Sequence, residues 1–590
     1  MSARASTPKA ARARARRGDH LAGASLGLAY VIALVATAGQ LGLSRDESFY
    51  VTASEAYARW IAQLFAHPAA ALTRQSIDAA FVQNHEHPVL MKLAFALSWL
   101  AHQKLQLGSD SLAFRLPGIL AAGALVWLVC VFGARAFGRA VGVFAALALA
   151  LMPRVFYHAH LDAFDVPIVC MVTLTTYAYW RALVSRRWAV MTGVCFGLAL
   201  ATKHNAWMLP GVFAVHFAFV AAGELRRRRR RRARRLSLAP WWLLTMLTLG
   251  PLIFVAHWPW LWHDTWPRIV AYAEFHLHHA YYNIEYFGVN YFWPPFPVSF
   301  PFVMTAITVP GTVLLLALLA LCGRARALWP AGLAERLWPH GRLHADARCT
   351  DVLLLGSLLA PMVAIALPST PIFGATKHWM PAYPFLALYA GLGFRQVWRA
   401  SERWLARRHG AGAEPARPAG TRRALAGWLA GALLLAPSLV ETAQSHPFGL
   451  SAYTPLAGGA PGAADLGMNR QFWGFTTGSV VPWLREHLPQ GGAVWLNDTT
   501  WQAFEMLHRD GALPRSIGAT ADMASANYVL VHHELHFREV DYQAWVAFGT
   551  TRPAYVLTFE GVPIVSVYRG PWDRASRSEG AGAGDRPGAR

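Results

Sequence analysis

Residues 20–50 read HLAGASLGLAYVIALVATAGQLGLSRDESFY. Leu21 to Leu43 contains no charged residue, and the run ends on Arg45-Asp46-Glu47. About twenty helical residues cross the roughly 30 Å hydrocarbon core of a bilayer. Arg12, Arg14, Arg16 and Arg17 precede the run and give it the outline of a secretory signal. It is too long for a signal and no small-residue cleavage site closes it. The reading is a first membrane helix with a basic cytoplasmic N-terminus, residues 1–20.

Ten further apolar windows follow, near 114–134, 138–157, 166–184, 188–204, 206–222, 240–258, 299–322, 351–368, 381–398 and 424–440. The chain thus reads as a polytopic α-helical membrane protein of about eleven spans, with a membrane domain over 21–440. Its composition agrees: 55% of 590 residues are hydrophobic and 15% charged, which excludes one large soluble globule. With alternating spans, one set of loops collects Arg135 and Arg139, Arg186 and Arg187, nine arginines between Arg226 and Arg235, Arg324 to Arg348, and Arg399 to Arg423. These are the cytoplasmic loops by the positive-inside rule, and they absorb the net charge of +22 without nucleic acid. The shorter apolar stretch Pro88 to His102 carries Lys92 and is placed as a helix on the outer surface.

The other loops, 44–113, 158–165, 259–298 and 369–380, differ in kind. They hold Arg45-Asp46-Glu47, His85-Glu86-His87, His158 to Asp165, and Lys377-His378, with Lys203-His204-Asn205 at the same edge. Ionisable groups at a membrane edge are costly unless solvated or paired, so a shared outer cavity is expected. A transporter of a lipid or small solute would instead carry charge near the bilayer midplane, and a membrane-anchored scaffold has no need of outward carboxylates. No GxxxxGK[ST] loop, GxGxxG turn or HExxH pair is present. The five cysteines imply no disulfide framework.

From 441 to 572 the composition turns polar. Val480 to Leu488 and Trp501 to Leu507 have helical periodicity. Ala493 to Leu496 and Tyr528 to Val531 read as strands, and Ala554 to Phe559 with Val562 to Tyr568 reads as a hairpin about Glu560-Gly561. A small soluble α/β domain outside the membrane is expected, followed by a Gly- and Arg-rich disordered tail at 573–590.

The outer-loop residues resemble a known family. Arg45-Asp46-Glu47-Ser48-Phe49-Tyr50 resembles the acidic motif of the GT-C glycosyltransferases, in particular glycosyltransferase family 39, the protein O-mannosyltransferase and aminoarabinose transferase group. His87-Pro88-Val89-Leu90, Arg115-Leu116-Pro117, His160-Leu161-Asp162-Ala163-Phe164-Asp165-Val166-Pro167, Gly197 to Lys203, and His378 to Pro384 follow in the family's order. The resemblance covers roughly residues 21–400. It implies inverting transfer of a sugar from a polyprenyl-phosphate donor to a hydroxyl of a glycan, lipid or protein. Transfer would occur at the outer, periplasmic face of the inner (plasma) membrane. The second acidic site is Asp162 or Asp165, with Asp165 favoured because Asp-x-Pro is the commoner form.

A hydroxyl acceptor must lose its proton as it attacks, and a carboxylate can take it. Asp46 is the candidate base and Glu47 the second choice. The departing phosphate gains charge that cations stabilise, which nominates Lys203, His204, Lys377 and His378. Neither lysine has a carboxylate beside it in sequence, so an anion between them is expected. His276, His278 and His279 form either a lid or a set of divalent-metal ligands; beyond that metal alternative the sequence points to no cofactor.

Overall fold

The computed structural model describes residues 8–229, 238–328, 348–372, 374–408 and 420–571. Most of the Arg226–Arg235 run and of the Arg324–Arg348 loop, residues 409–419 of the Arg399–Arg423 loop, and the tail after Pro571 lie outside the described residues.

Each apolar window is helical. The first lies within Pro8–Thr37, so the basic segment from residue 8 is the first turns of the same helix rather than a separate arm. The others fall in Asp110–Phe137, Asp165–Ala182, Arg186–Leu200, Leu209–Arg229, Trp241–His257, Thr350–Ala366, Tyr383–Arg408 and Gly420–Ser445. The windows at 138–157 and 299–322 are each broken into two helices, Arg139–Ala150 with Pro153–His158 and Phe300–Thr308 with Gly311–Leu328. Pro153 and Pro310 sit at the breaks, where proline removes an amide donor and crowds the preceding turn. By length and composition, Arg17–Gln40, Asp110–Phe137, His204–Arg226 and Ala424–Ser445 are each sufficient to cross a membrane, and four shorter apolar helices accompany them.

Small residues let these helices touch. A Cβ on Gly27 would lie 2.5 Å from the Gly123 carbonyl oxygen, and one on Gly123 would lie 2.5 Å from Val31. The first helix therefore meets Asp110–Phe137 backbone to backbone, the contact available to membrane helices that gain little from the hydrophobic effect.

The outer segments are more ordered than loops. Residues 44–113 fold into helices Arg45–Ala66, Arg74–Phe81 and Leu90–Leu105. Residues 259–298 form the helix Thr265–Leu277 and a hairpin of β1 (Ile284–Tyr286) and β2 (Val289–Tyr291).

The C-terminal part holds β3 (Gly492–Leu496), β4 (Ile517–Thr520), β5 (Tyr528–His532), β6 (Tyr555–Phe559) and β7 (Val562–Arg569), in the spatial order β4-β3-β5-β7-β6. The first three are mutually parallel and the last two antiparallel. Central β5 is buried along its whole length because apolar clusters cover both faces, one built on Val480, Leu484 and Phe504, the other on Ala544 and Phe548. Glu560 and Gly561 take positive φ at the β6–β7 turn, as a two-residue hairpin requires.

Replacing Gly123 with Val is expected to force the two helices apart at a cost of about 1–3 kcal/mol. Gly39, whose added Cβ would meet nothing within 4 Å, is the control. Thermal unfolding in detergent should show a marked loss for Gly123→Val and little change for Gly39→Ala.

Candidate active site

The site is built from the N-terminus of the Arg45–Ala66 helix. Ser44 caps it and Glu47 closes the capping box, accepting from the Ser44 amide at 2.8 Å. Glu47 also accepts two hydrogen bonds from Arg115, at 2.8 and 3.0 Å, and one from the Asp162 amide at 3.0 Å. Arg115 spends its remaining donors on the carbonyls of Ala38, Leu41 and Gly42. Both side chains are fully buried. Glu47 thus has both carboxylate oxygens bonded and lies off the cavity wall. Its neighbour Asp46 is held one residue away, facing the open side.

That side is a cavity of about 460 Å³ between the membrane helices and the C-terminal part. Asp46, Lys203, His204, His276, His279, Lys377 and His378 all line it, drawn from four separate stretches of chain. Glu47, Asp165 and His278 do not; His278 is exposed. Tyr50, Glu86, His87 and Trp473 also line the cavity. Glu86 and His87 lay in a loop already marked as acidic and histidine-rich, whereas no sequence signal marked Trp473.

Both lysines have carboxylate partners distant in sequence. Lys377 Nζ donates to Asp46 Oδ2 at 2.7 Å and lies 4.3 Å over the Trp473 ring. Lys203 Nζ donates to Asp165 Oδ1 at 2.7 Å. The expectation that only an external anion would join the lysines is therefore corrected, since each brings its own counter-charge from another segment. Gly374 makes the Lys377 placement possible: it takes φ +64, and a Cβ there would meet Trp473 at 2.4 Å and the Lys377 side chain at 2.6 Å.

The two candidate second acids separate by environment. Burial raises the Asp165 carboxyl, but Lys203, the His158 imidazole 3.6 Å away and the charge of Lys377 outweigh it, holding the group well below the usual carboxylate range. Asp162 has no hydrogen-bond partner for either carboxylate oxygen, and burial together with the Glu47 charge pushes it well above that range. Asp165 is the ionised one, and it acts on the cavity through Lys203.

The histidine segment folds against the cavity wall. His276 Nε2 contacts the Glu86 carbonyl at 3.0 Å, and its ring lies 4.1 Å from that of His204. Burial lowers its pKa to about 4, so it is a neutral imidazole at ordinary pH.

Residues 86–260 match the family model described as dolichyl-phosphate-mannose-protein mannosyltransferase. Among solved structures, ArnT from Cupriavidus metallidurans bound to undecaprenyl phosphate is similar over 92% of this chain and 97% of its own, at 15% identity and TM-score 0.43. The oligosaccharyltransferase AglB from Archaeoglobus fulgidus, solved with an inhibitory peptide and a dolichol-phosphate, is similar over 93% of this chain and 74% of its own, at 11% identity and TM-score 0.45. No curated protein sequence matches the chain significantly. Residues 86–260, under a third of the chain, thus match the model of the dolichyl-phosphate-mannose-protein mannosyltransferase family.

Removing one partner of a buried ion pair strands the other at a cost of about 3–5 kcal/mol. Glu47→Gln is accordingly expected to lower the thermal midpoint sharply and Asp46→Asn, whose carboxylate is 25% exposed, to lower it less, both measured on detergent-purified protein. Equal effects on stability would contradict the division of labour between the two acids.

Proposed function

We propose that the protein moves a sugar from a polyprenyl-phosphate donor to a hydroxyl acceptor on the outer face of the inner membrane, with inversion. Asp46 is the base and Lys377 and Lys203 receive the donor phosphate. The observation that carries this reading is the 2.7 Å Lys377–Asp46 contact inside a cavity that Lys203 also lines.

A donor phosphate competes with Asp46 for Lys377. When it takes the ammonium, Asp46 is released as a free acceptor for the hydroxyl proton. The acceptor oxygen then bonds to the anomeric carbon as the carbon–oxygen bond to phosphate breaks. The electron pair leaves on the phosphate, where Lys377 and Lys203 meet the developing charge, and the proton goes to Asp46. His204 and His378 supply further donors at the same wall. Asp165 positions Lys203 and is not itself in the cavity.

The orientation rests on the basic residues. Arg139 donates to Asp19 at 2.7 Å and Arg135 contacts His20 at 2.8 Å, so the start of the first helix shares an end with these two arginines. The cavity and the C-terminal domain share the other end, where Thr37 contacts His160 at 2.8 Å. By the positive-inside rule the first end is cytoplasmic and the second periplasmic. A reporter fused after Gly223 should read cytoplasmic and one after Gly462 external; finding both on one side would overturn the orientation.

Purified protein should transfer labelled sugar from a synthetic polyprenyl-phosphate donor. Asp46→Asn is expected to reduce turnover roughly 10²- to 10⁴-fold while retaining donor binding. Lys203→Met and Lys377→Met should each lower kcat as well as raise KM for the donor, because the charge is needed most as phosphate departs. Parental kcat/KM in both lysine variants would remove the phosphate role.

A further inference from the structure

On the far wall of the cavity, three ligating groups converge from two distant parts of the chain. Glu285 sits on β1 of the outer hairpin, and Glu534 and His536 follow β5 of the C-terminal sheet. A carboxylate oxygen from each glutamate and an imidazole nitrogen all lie within 4.8 Å of one another. Glu285 is 4% exposed and Glu534 8%, so both acids are withdrawn from water. Among the described residues, neither makes an ion pair with a lysine or arginine.

Existing bonds hold the groups in place, and His536 Nδ1 pairs with Asn283 Nδ2 at 2.9 Å. One Glu285 oxygen accepts from the Leu535 amide, and the Glu285 amide donates to Asn469 Oδ1 at 2.9 Å. The other Glu285 oxygen has no hydrogen-bond partner among the described residues, although the side chain is nine-tenths buried and lines the cavity. Glu534 Oε1 accepts from Gln471 Nε2 at 3.1 Å, and its Oε2 faces His536 Nδ1 at 3.5 Å. Burial raises both carboxyls, Glu285 to about 7 and Glu534 well above the usual range, with Glu285 adding to the effect at Glu534. Two buried acids this close are stable only if they share protons or a cation lies between them.

We propose that Glu285, Glu534 and His536 chelate a divalent transition cation that pins the outer hairpin to the C-terminal domain. Two carboxylates with one imidazole and no thiolate suit Mn²⁺ or Zn²⁺ better than a soft ion, and better than Mg²⁺, which prefers an all-oxygen shell. The ion ties β1 to the turn after β5, beside the Gly288 amide to Gly467 carbonyl bond of 2.9 Å, and fixes the cavity wall opposite Asp46. The site stands independently of the transferase reading. It also differs from the histidine segment, of which it uses no residue.

The test uses the full chain in detergent, stripped with EDTA and titrated with MnCl₂, with bound ion read by electron paramagnetic resonance. One Mn²⁺ per chain is expected, with binding at least tenfold weaker in Glu285→Gln/Glu534→Gln and unchanged in His276→Ala. In the unmutated protein, Mn²⁺ should also slow hydrogen exchange across 284–291 and 533–537, a readout that does not depend on the variants folding. Three results would overturn the site: absence of a stoichiometric ion, which leaves a shared proton; an ion retained by the double variant or lost from His276→Ala; or exchange in both segments that ignores the metal.

Discussion

The buried pair of Glu47 and Arg115 is the constraint on which the site depends. Two charges taken out of water are tolerated only when nearly every donor and acceptor is matched, and here the pair is bidentate and its remaining valences go to backbone. Those backbone partners are the end of the first span at Ala38, Leu41 and Gly42, the helix cap at Ser44, and the Asp162 segment. One ion pair thus fastens three outer segments to the top of the Asp110–Phe137 helix. Asp46 inherits its position from this arrangement, since its neighbour in the same helical turn cannot move. The Arg45 amide donates to the Trp473 carbonyl at 2.9 Å and its guanidinium pairs with Asp498, which joins the same corner to the C-terminal domain.

With Asp46 fixed, the rest of the site is a matter of charge balance. The cavity presents two ammonium groups, each neutralised by a carboxylate from elsewhere in the chain. Without substrate this arrangement is stable; an incoming phosphate must offer one lysine more than the carboxylate does. In the proposed reaction this exchange frees Asp46 as the leaving group docks, which places donor binding before acceptor attack. Asp165 differs, because it is ionised and buried and has no route to the acceptor, so its effect passes through Lys203.

Much of the membrane architecture was legible because bilayer thickness imposes a length on apolar runs, and every window proved helical. The breaks at Pro153 and Pro310 were equally available from the residue type. The strands around Val494, Val529 and Val565 were legible from short apolar runs. Less visible were β4, whose Ile-Gly-Ala-Thr has little pattern, and the helix Arg538–Phe548, whose polar face hides its period. That Asp46, Lys203 and Lys377 face one cavity was readable from residue type and loop side, but their partners were not. Lys377 and Asp46 are 331 residues apart, and no local pattern encodes such a contact. The pairing of Glu47 with Arg115, 68 residues on, was hidden for the same reason. Glu285, Glu534 and His536 fall in segments whose juxtaposition only the fold creates.

The central claim is that one phosphate replaces Asp46 on Lys377. A structure of the protein with a polyprenyl phosphate bound tests it most directly. The account predicts phosphate oxygens within hydrogen-bond distance of Lys377 Nζ and Lys203 Nζ, with the Lys377–Asp46 contact broken and the Asp46 carboxylate open to the cavity. A phosphate bound elsewhere, with Lys377 still holding Asp46, would contradict it.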